Sequence, residues 1–413
     1  MNKNILLIAF KYPPYAGVGG FRWSKLSKYL AEMGYTIHVV TVKWKQHGDN
    51  TYLEDVKHPN IIIHRIPSLY PHNLKYKPFK KNLIGEFKRI LRHLFFKIVN
   101  IFWYEDEAQY WGYSLLPFCE RLIIEEDIKN VIATGHPFMA NYWAAKLKQK
   151  NPEINLIQDF RDPWNDDVIR YLPLKQMVKK SENHEIFAIN NCDFLVTVTN
   201  GLMDLYYEKA RREINKTVIR NGYDIDICQK KSIKRDFNII YAGSLWAGRE
   251  EPLEAFLKSL VSIIKDIPEM KISFYGSFPS GLVKKYSKLF DEKIIFTYSP
   301  VSPDQVQKII NESFACLLFN SRVYPYALST KIYEYASLKR PILCVNYGGE
   351  IDDVIQKHNL GLSVNGDDIN QINEGILKLY GLWKENPYFE IIPTGLEIYH
   401  YKNLAKMIEK LFR

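Results

Sequence analysis

Ile5-Leu-Leu-Ile-Ala-Phe10 and Thr36-Ile-His-Val-Val-Thr-Val42 are two short apolar runs, with the amphipathic stretch 23–34 between them. The first run is apolar throughout, as a strand buried on both faces is, and the second is apolar at four of its seven positions. A helix joining two such strands makes the β-α-β unit of a parallel sheet. The alternation continues through short apolar runs at 61–66, 131–134, 156–158 and 194–198. It breaks at 224–236, a polar segment with Gln229, Lys230, Lys231, Ser232, Lys234 and Arg235, and then restarts. The second series places strands at 238–242, 271–275, 293–297, 315–319, 341–345 and 360–364, and helices at 250–264, 331–338, 351–357 and 369–380. The expected fold is α/β, with two Rossmann-like doubly wound domains facing a central cleft. Residues 1–223 form the first domain, 224–236 the linker, 237–385 the second domain, and 386–413 a crossover and terminal helix. Ligands of such sheets bind beyond the carboxyl ends of the strands, so the chemistry is expected in the loops that follow them.

The composition agrees with this. With 413 residues, 46% of them hydrophobic and 25% charged, the chain has material for more than one core, which excludes a disordered or collagen-like protein. Lys+Arg 56 against Asp+Glu 46 gives a net charge of +10, which favours an anionic partner: nucleic acid, acidic lipid or a phosphorylated small molecule. No RNA-recognition, zinc-finger or helix-turn-helix signature supports the first of these, and nucleic acid is not expected as a partner. Cys119, Cys192, Cys228, Cys316 and Cys344 form no C-x-x-C pair, which reads as reduced thiols in a cytoplasmic protein. No apolar run reaches the length of a membrane span, so any membrane contact is expected to be peripheral.

Several post-strand segments carry candidate chemistry. The first is Lys11-Tyr-Pro-Pro-Tyr-Ala-Gly-Val-Gly-Gly-Phe-Arg22, read as a loop leading into a helix that begins near Arg22. Gly17, Gly19 and Gly20 let backbone amides approach a phosphate or a sugar closely, although glycine-rich loops also serve as plain turns. His136 follows the fourth strand in Ala133-Thr-Gly-His-Pro137, where it can bond a sugar hydroxyl or act as a turn residue. Asp159, Arg161 and Asp162 end the next strand and equally suit an internal ion-pair network holding Trp164. Asn221-Gly222, just before the linker, reads as a hinge turn.

Taken together, Pro13-Pro14 with Gly19-Gly20, Asp159-Phe-Arg-Asp-Pro-Trp164, Arg220-Asn-Gly-Tyr-Asp224, Lys331-Ile-Tyr-Glu-Tyr335 and Arg340-Pro-Ile-Leu343 resemble the GT-B glycosyltransferases. The likeness is to the retaining group called family four, in particular bacterial members that build surface polysaccharides. It implies a nucleoside-diphosphate-sugar donor on the second domain, a glycan or polyprenyl-linked acceptor on the first, retention of configuration, and no cofactor or metal. Glu334 falls at the second glutamate of the family's E-x7-E motif, which binds the donor ribose; the first position holds Tyr326. In the family's basic diphosphate segment, Gly243 keeps the glycine, Ser244 replaces the arginine and Arg249 stands for the lysine. The implied donor residues are Gly19, Gly20, Gly243, Ser244, Arg249, Ser329, Thr330 and Glu334. His136 and Arg249 carry catalysis, and Tyr15, Arg22, Asp159 and Asp162 face the acceptor. A nucleotide-sugar 2-epimerase of the same two-domain fold is the alternative.

One stretch stands apart from the resemblance. Between 75 and 103, Lys75, Lys77, Lys80, Lys81, Lys88, Arg89, Arg92 and Lys97 accompany apolar residues at helical spacing, with Phe95, Phe96 and Trp103 adding aromatic bulk. Such a helix docks on an anionic membrane, at the inner face of the cell membrane, or covers its own sheet with its basic side solvated.

Overall fold

The structure, a computed structural model, describes residues 3–15, 18–45, 52–80, 82–224, 233–245 and 248–413; Gly17, Lys81 and Cys228 therefore lie outside the described residues. It divides into two compact units, Met1–Arg220 with Tyr401–Arg413, and Asn221–His400.

The first unit holds a parallel sheet of β1 (Asn4–Ile8), β2 (Thr36–Val42), β3 (Ile61–Ile66), β4 (Asn130–Thr134), β5 (Asn155–Phe160), β6 (Phe194–Thr197) and β7 (Asn215–Val218). Its order is β3-β2-β1-β4-β5-β6-β7. The second unit has β8 (Asn238–Ala242), β9 (Lys271–Tyr275), β10 (Ile295–Tyr298), β11 (Ala315–Phe319), β12 (Ile342–Asn346) and β13 (Gly361–Asn365), in the order β10-β9-β8-β11-β12-β13. Both sheets run outward from their first strand in one direction and then in the other. Each therefore has a switch point, at β1/β4 and at β8/β11, where a crevice opens beyond the strand ends. The apolar runs formed strands because helices cover both faces. Ile5–Ile8, Val131–Ala133 and the whole of β11 and β12 are buried.

Four expectations change. The first helix starts at Val18, not near Arg22, so Gly19 and Gly20 lie in its first turn. The unit boundary falls between Arg220 and Asn221 rather than after 223, and residues 225–232 of the expected linker lie outside the described residues. The terminal helix, Tyr401–Glu409, belongs to the first unit, where Tyr401, Leu404, Ala405, Ile408, Leu411 and Phe412 join the core beneath β1 and β2. Finally, the basic stretch is not one helix from 75 to 103: a short helix ends at Lys75, and a second spans Leu83–Phe102 behind an Asn82 cap.

That second helix has its apolar side in solvent. Leu83, Phe87, Ile90, Leu94, Ile98 and Ile101 recur at helical spacing and are each more than half exposed. Only Gly85, Phe96 and Val99 are buried along it, the last two against Tyr70 and Trp103. Its apolar stripe therefore does not cover the sheet, and of the aromatic residues Phe95 is exposed while Phe96 is buried. No described helix is long and apolar enough to cross a membrane.

Candidate active site

In the second unit, β8 ends at Gly243, whose φ of 141° is unfavourable for any residue with a Cβ. The space a Cβ would need is filled by Lys331: such an atom would lie 2.5 Å from Lys331 Cε and 2.7 Å from Nζ. Lys331 opens the helix Lys331–Ser337 that follows β11, so the switch point itself brings these two residues together across 88 positions of sequence. Its ammonium also lies 5.7 Å from the centre of the Tyr241 ring. Burial, reinforced by the positive charge of Arg249, depresses the Lys331 pKa to about 8, against the pull of Glu334. Among the described residues no carboxylate forms an ion pair with Lys331. Arg249 stands directly before the helix Glu250–Ile263, and Glu334 lies one turn along from Lys331, its pKa raised by burial.

Two cations at one strand end, one of them poorly hydrated, have the chemistry that pairs with a multiply charged anion. Of the remaining donor candidates, Ser244 is exposed and its carbonyl accepts the Tyr241 hydroxyl at 3.0 Å. Ser329 and Thr330 are half-buried at the start of the Lys331 helix, where the Ser329 hydroxyl accepts the Lys331 amide at 3.4 Å. Gly19 and Gly20 belong to the first unit. A Cβ on Gly19 would sit 3.0 Å from Lys11, and one on Gly20 3.1 Å from the Tyr15 carbonyl, so both glycines serve close packing of the helix on the preceding loop.

In the first unit, the same switch point brings Lys11, after β1, to His136, after β4, with Nζ 3.1 Å from Nδ1. The lysine nitrogen is the donor, so Nδ1 accepts and the ring proton resides on Nε2. Burial, with Lys11 adding to it, depresses the His136 pKa to about 3. The ring is thus a neutral hydrogen-bond donor at physiological pH and not a proton shuttle. Glu107 is also buried. Its Oε1 accepts Lys75 Nζ at 2.7 Å and the Tyr76 hydroxyl at 2.6 Å. Burial opposes its charge, but Lys11 and Lys75 prevail and hold its pKa at about 2. Tyr15 stands nearby, its ring 5.6 Å from that of Tyr76 and 4.7 Å from that of Trp44.

Arg22 and Asp159 do not face an acceptor. Arg22 is 1% exposed and donates to the carbonyls of Arg220 at 2.7 Å and Ile219 at 2.8 Å, with Asp159 Oδ1 3.4 Å away. Asp159 is fully buried, and its Oδ2 accepts Trp23 Nε1 at 2.7 Å and Thr134 Oγ1 at 2.9 Å. The network holds Trp23 rather than Trp164, which instead stacks on Phe138. Arg161 donates to the Gly135 carbonyl at 2.9 Å, buttressing the turn that presents His136, and Asp162 is exposed. Lys331, Lys11, Lys75 and Glu107 were not singled out for this role by the sequence. Lys331 had a signal in the quoted Lys331–Tyr335 motif and Lys11 in the post-strand segment that it opens, Lys75 was read only as part of the basic stretch, and Glu107 had none. No described cluster of His, Cys, Asp or Glu has the form of a metal site.

Comparison with known proteins fits this geometry. The family model described as Glycosyl transferases group 1 matches residues 236–381, the part of the chain that contains Gly243, Arg249, Lys331 and Glu334. A search of curated proteins gave no match. Among solved structures, sucrose-phosphate synthase from Thermosynechococcus elongatus superposes with a TM-score of 0.66 at 13% identity, covering 99% of this chain and 98% of that one. WaaG, described as a glycosyltransferase involved in lipopolysaccharide biosynthesis, gives 0.58 at 12%, covering 98% and 99%. A UDP-N-acetylglucosamine 2-epimerase from Listeria monocytogenes, itself described as putative, gives 0.55 at 13%, covering 99% and 95%, so the fold is shared by transferases and epimerases. The second unit is thus similar to the group 1 glycosyl transferases, and the chain shares the two-unit fold of these solved structures along its whole length.

Proposed function

We propose that the second unit holds a nucleoside-diphosphate sugar and that its sugar is transferred, with retention and without a metal ion, to a hydroxyl of a glycan or polyprenyl-linked acceptor held by the first unit. The observation that carries this reading is the Lys331 ammonium lodged against Gly243 beside Arg249. Ser244 replaces the arginine that the resemblance leads one to expect, and Lys331 restores the second cation from a different strand end. In the reaction, the acceptor oxygen bonds to the anomeric carbon as the bond from that carbon to the diphosphate oxygen breaks. The acceptor proton passes to a phosphate oxygen of the departing diphosphate. Arg249 and Lys331 stabilise the charge that develops there, Glu334 accepts hydrogen bonds from the ribose hydroxyls, and His136 donates through Nε2 to a sugar hydroxyl.

The helix Leu83–Phe102 supports a lipid-linked acceptor. Its exposed apolar stripe is flanked by Lys88, Arg89, Arg92 and Lys97, and each such cation contributes about 1 kcal/mol near an anionic surface. We place the protein peripherally on the inner face of a bacterial membrane. Replacing Lys88, Arg89 and Arg92 with glutamate abolishes sedimentation with anionic liposomes and leaves nucleotide binding intact. Sedimentation that persists, or that the parent never shows at low salt, removes the membrane from the proposal.

A thermal-shift screen against UDP-, GDP-, CMP- and dTDP-sugars tests the donor reading, since ligand at 100 times its dissociation constant stabilises by about 2.7 kcal/mol. Incubating the preferred donor with EDTA and no acceptor, then examining the sugar, separates the 2-epimerase alternative. An isomerised sugar would establish it.

A further inference from the structure

A pocket of about 670 Å³ lies within the first unit, in the size range of small-molecule sites. His136 and Glu107 line one part of it, and Lys97, Ile101 and Trp103, from the end of the amphipathic helix, line another. Three consecutive acidic residues reach this wall, and they differ in what they have left to offer. Glu105 is spent on Arg170, Ser181 and His184. Asp106 is spent on the amides of Ala108 and Met139. Glu107 is only half used: Oε1 has its two donors, whereas Oε2 is buried with no hydrogen-bond partner.

A buried carboxylate oxygen without a donor carries a desolvation penalty that a ligand can relieve. Because Lys11 and Lys75 keep Glu107 ionised, it cannot supply a proton, and what it accepts is a hydroxyl or N–H of a ligand. The rest of the lining narrows the class. Tyr70, Trp103, Tyr104 and Tyr171 present aromatic surface beside the charged groups. Rings next to hydrogen-bonding groups suit a pyranose, which has apolar C–H faces and a rim of hydroxyls.

We propose that this pocket is a sugar subsite in which Glu107 Oε2 accepts a hydrogen bond from a hydroxyl of the acceptor. The proposal rests on the reading of the chain as a glycosyltransferase and adds the acceptor's recognition residue. It also fixes a polarity along the pocket. The sugar lies toward Glu107 and His136, and whatever aglycone it carries leaves past Ile101 and Trp103 toward the exposed apolar helix.

The test uses the full chain and a panel of octyl glycosides (glucoside, galactoside, mannoside and N-acetylglucosaminide) as probes, with calorimetric binding of these and of the preferred nucleotide sugar measured in parallel. Glu107→Gln keeps the Tyr76 contact but sets an amide where a full carboxylate stood, and at least a tenfold loss of affinity for the best glycoside is expected, with nucleotide-sugar affinity within twofold of the parent. Tyr171 is 81% exposed, so Tyr171→Ala leaves the fold untouched and provides a second reading if Glu107→Gln does not fold. It should weaken the same glycoside severalfold. Binding of the nucleotide sugar with no binding of any octyl glycoside overturns the subsite and spares the donor reading. Glycoside affinity unchanged in Tyr171→Ala, or in a folded Glu107→Gln, also overturns it. Glycoside binding that depends on these residues, without nucleotide-sugar binding, supports the subsite while the donor reading fails.

Discussion

The two units share a strand order yet use their buried charges in opposite ways. In the first, charge is balanced internally. Arg22 is matched by Asp159 and two carbonyls, and Lys75 by Glu107. In the second, Lys331 sits at the equivalent crevice with no ion-pair partner among the described residues, and Arg249 makes its position worse. A balanced cluster holds a fold together, whereas an unbalanced one waits for a ligand. Arg22 and Asp159 therefore serve structure, whereas Lys331 is left for binding.

The sharpest way to break this comparison is to remove one cation from each half. Arg22→Met leaves the fully buried Asp159 without its cation and should destabilise the protein by about 3–5 kcal/mol in urea unfolding. Lys331→Met removes a poorly hydrated charge, so unfolding should show no loss of stability. Turnover should instead fall by about 10²–10³, or about 2.7–4 kcal/mol, as for removal of one oriented donor to a developing anion. Arg249→Ala should resemble it, with turnover reduced more than donor affinity. A destabilised Lys331→Met, or an Arg22→Met as stable as the parent, would erase the distinction.

Glu334→Gln is expected to have a smaller effect, a loss of donor affinity of about 1–3 kcal/mol with the fold intact. An unchanged dissociation constant would take Glu334 out of the site.

The subtlest contrast is in pH. His136 has a folded pKa near 3, below its ordinary 6.5, so the unfolded chain binds more protons between those values. Its contribution to stability is complete above pH 6.5 and is lost as pH falls toward 3. Lys331, at about 8 against 10.5, makes the unfolded chain bind more protons between pH 8 and 10.5, so stability rises across that alkaline window. Urea midpoints measured against pH should show both limbs. Saturating nucleoside diphosphate should flatten the alkaline one, because a bound anion raises the Lys331 pKa.

Much of this architecture was legible in the sequence because central strands of a parallel sheet are buried on both sides and write themselves as apolar runs. Asn215–Val218 was not, since an edge strand reading Asn-Lys-Thr-Val has two exposed positions and no such pattern. Glu334 and Arg249 could be found through motifs. Glu107 could not, because nothing in its spacing distinguishes it from Glu105, and only packing decides which of the two keeps an oxygen free. Arg22 and Asp159 were placed on the acceptor side by the resemblance, and their spacing could not show that both are buried. The structure commits them to holding the helix that begins at Val18 against β5 and the end of β7. The apolar spacing of 83–102 predicted a helix correctly but was silent about which side faced water.

The return of residues 401–413 to the first unit sets the order in which this protein can be assembled. Leu404 and Ile408 are buried against β1 and β2, and Asn155 donates to the Leu411 carbonyl at 2.8 Å, yet 180 residues of the second unit are synthesised between Arg220 and that segment. The second unit is continuous in sequence and can close as it emerges. The first must wait with part of its apolar face uncovered until the chain comes back to it, a long-range closure of the kind that slows folding and exposes nascent chains to aggregation. The helix that completes the first unit's core is thus also its timing element, and it makes maturation of the half with the His136 pocket conditional on prior synthesis of the half with Lys331.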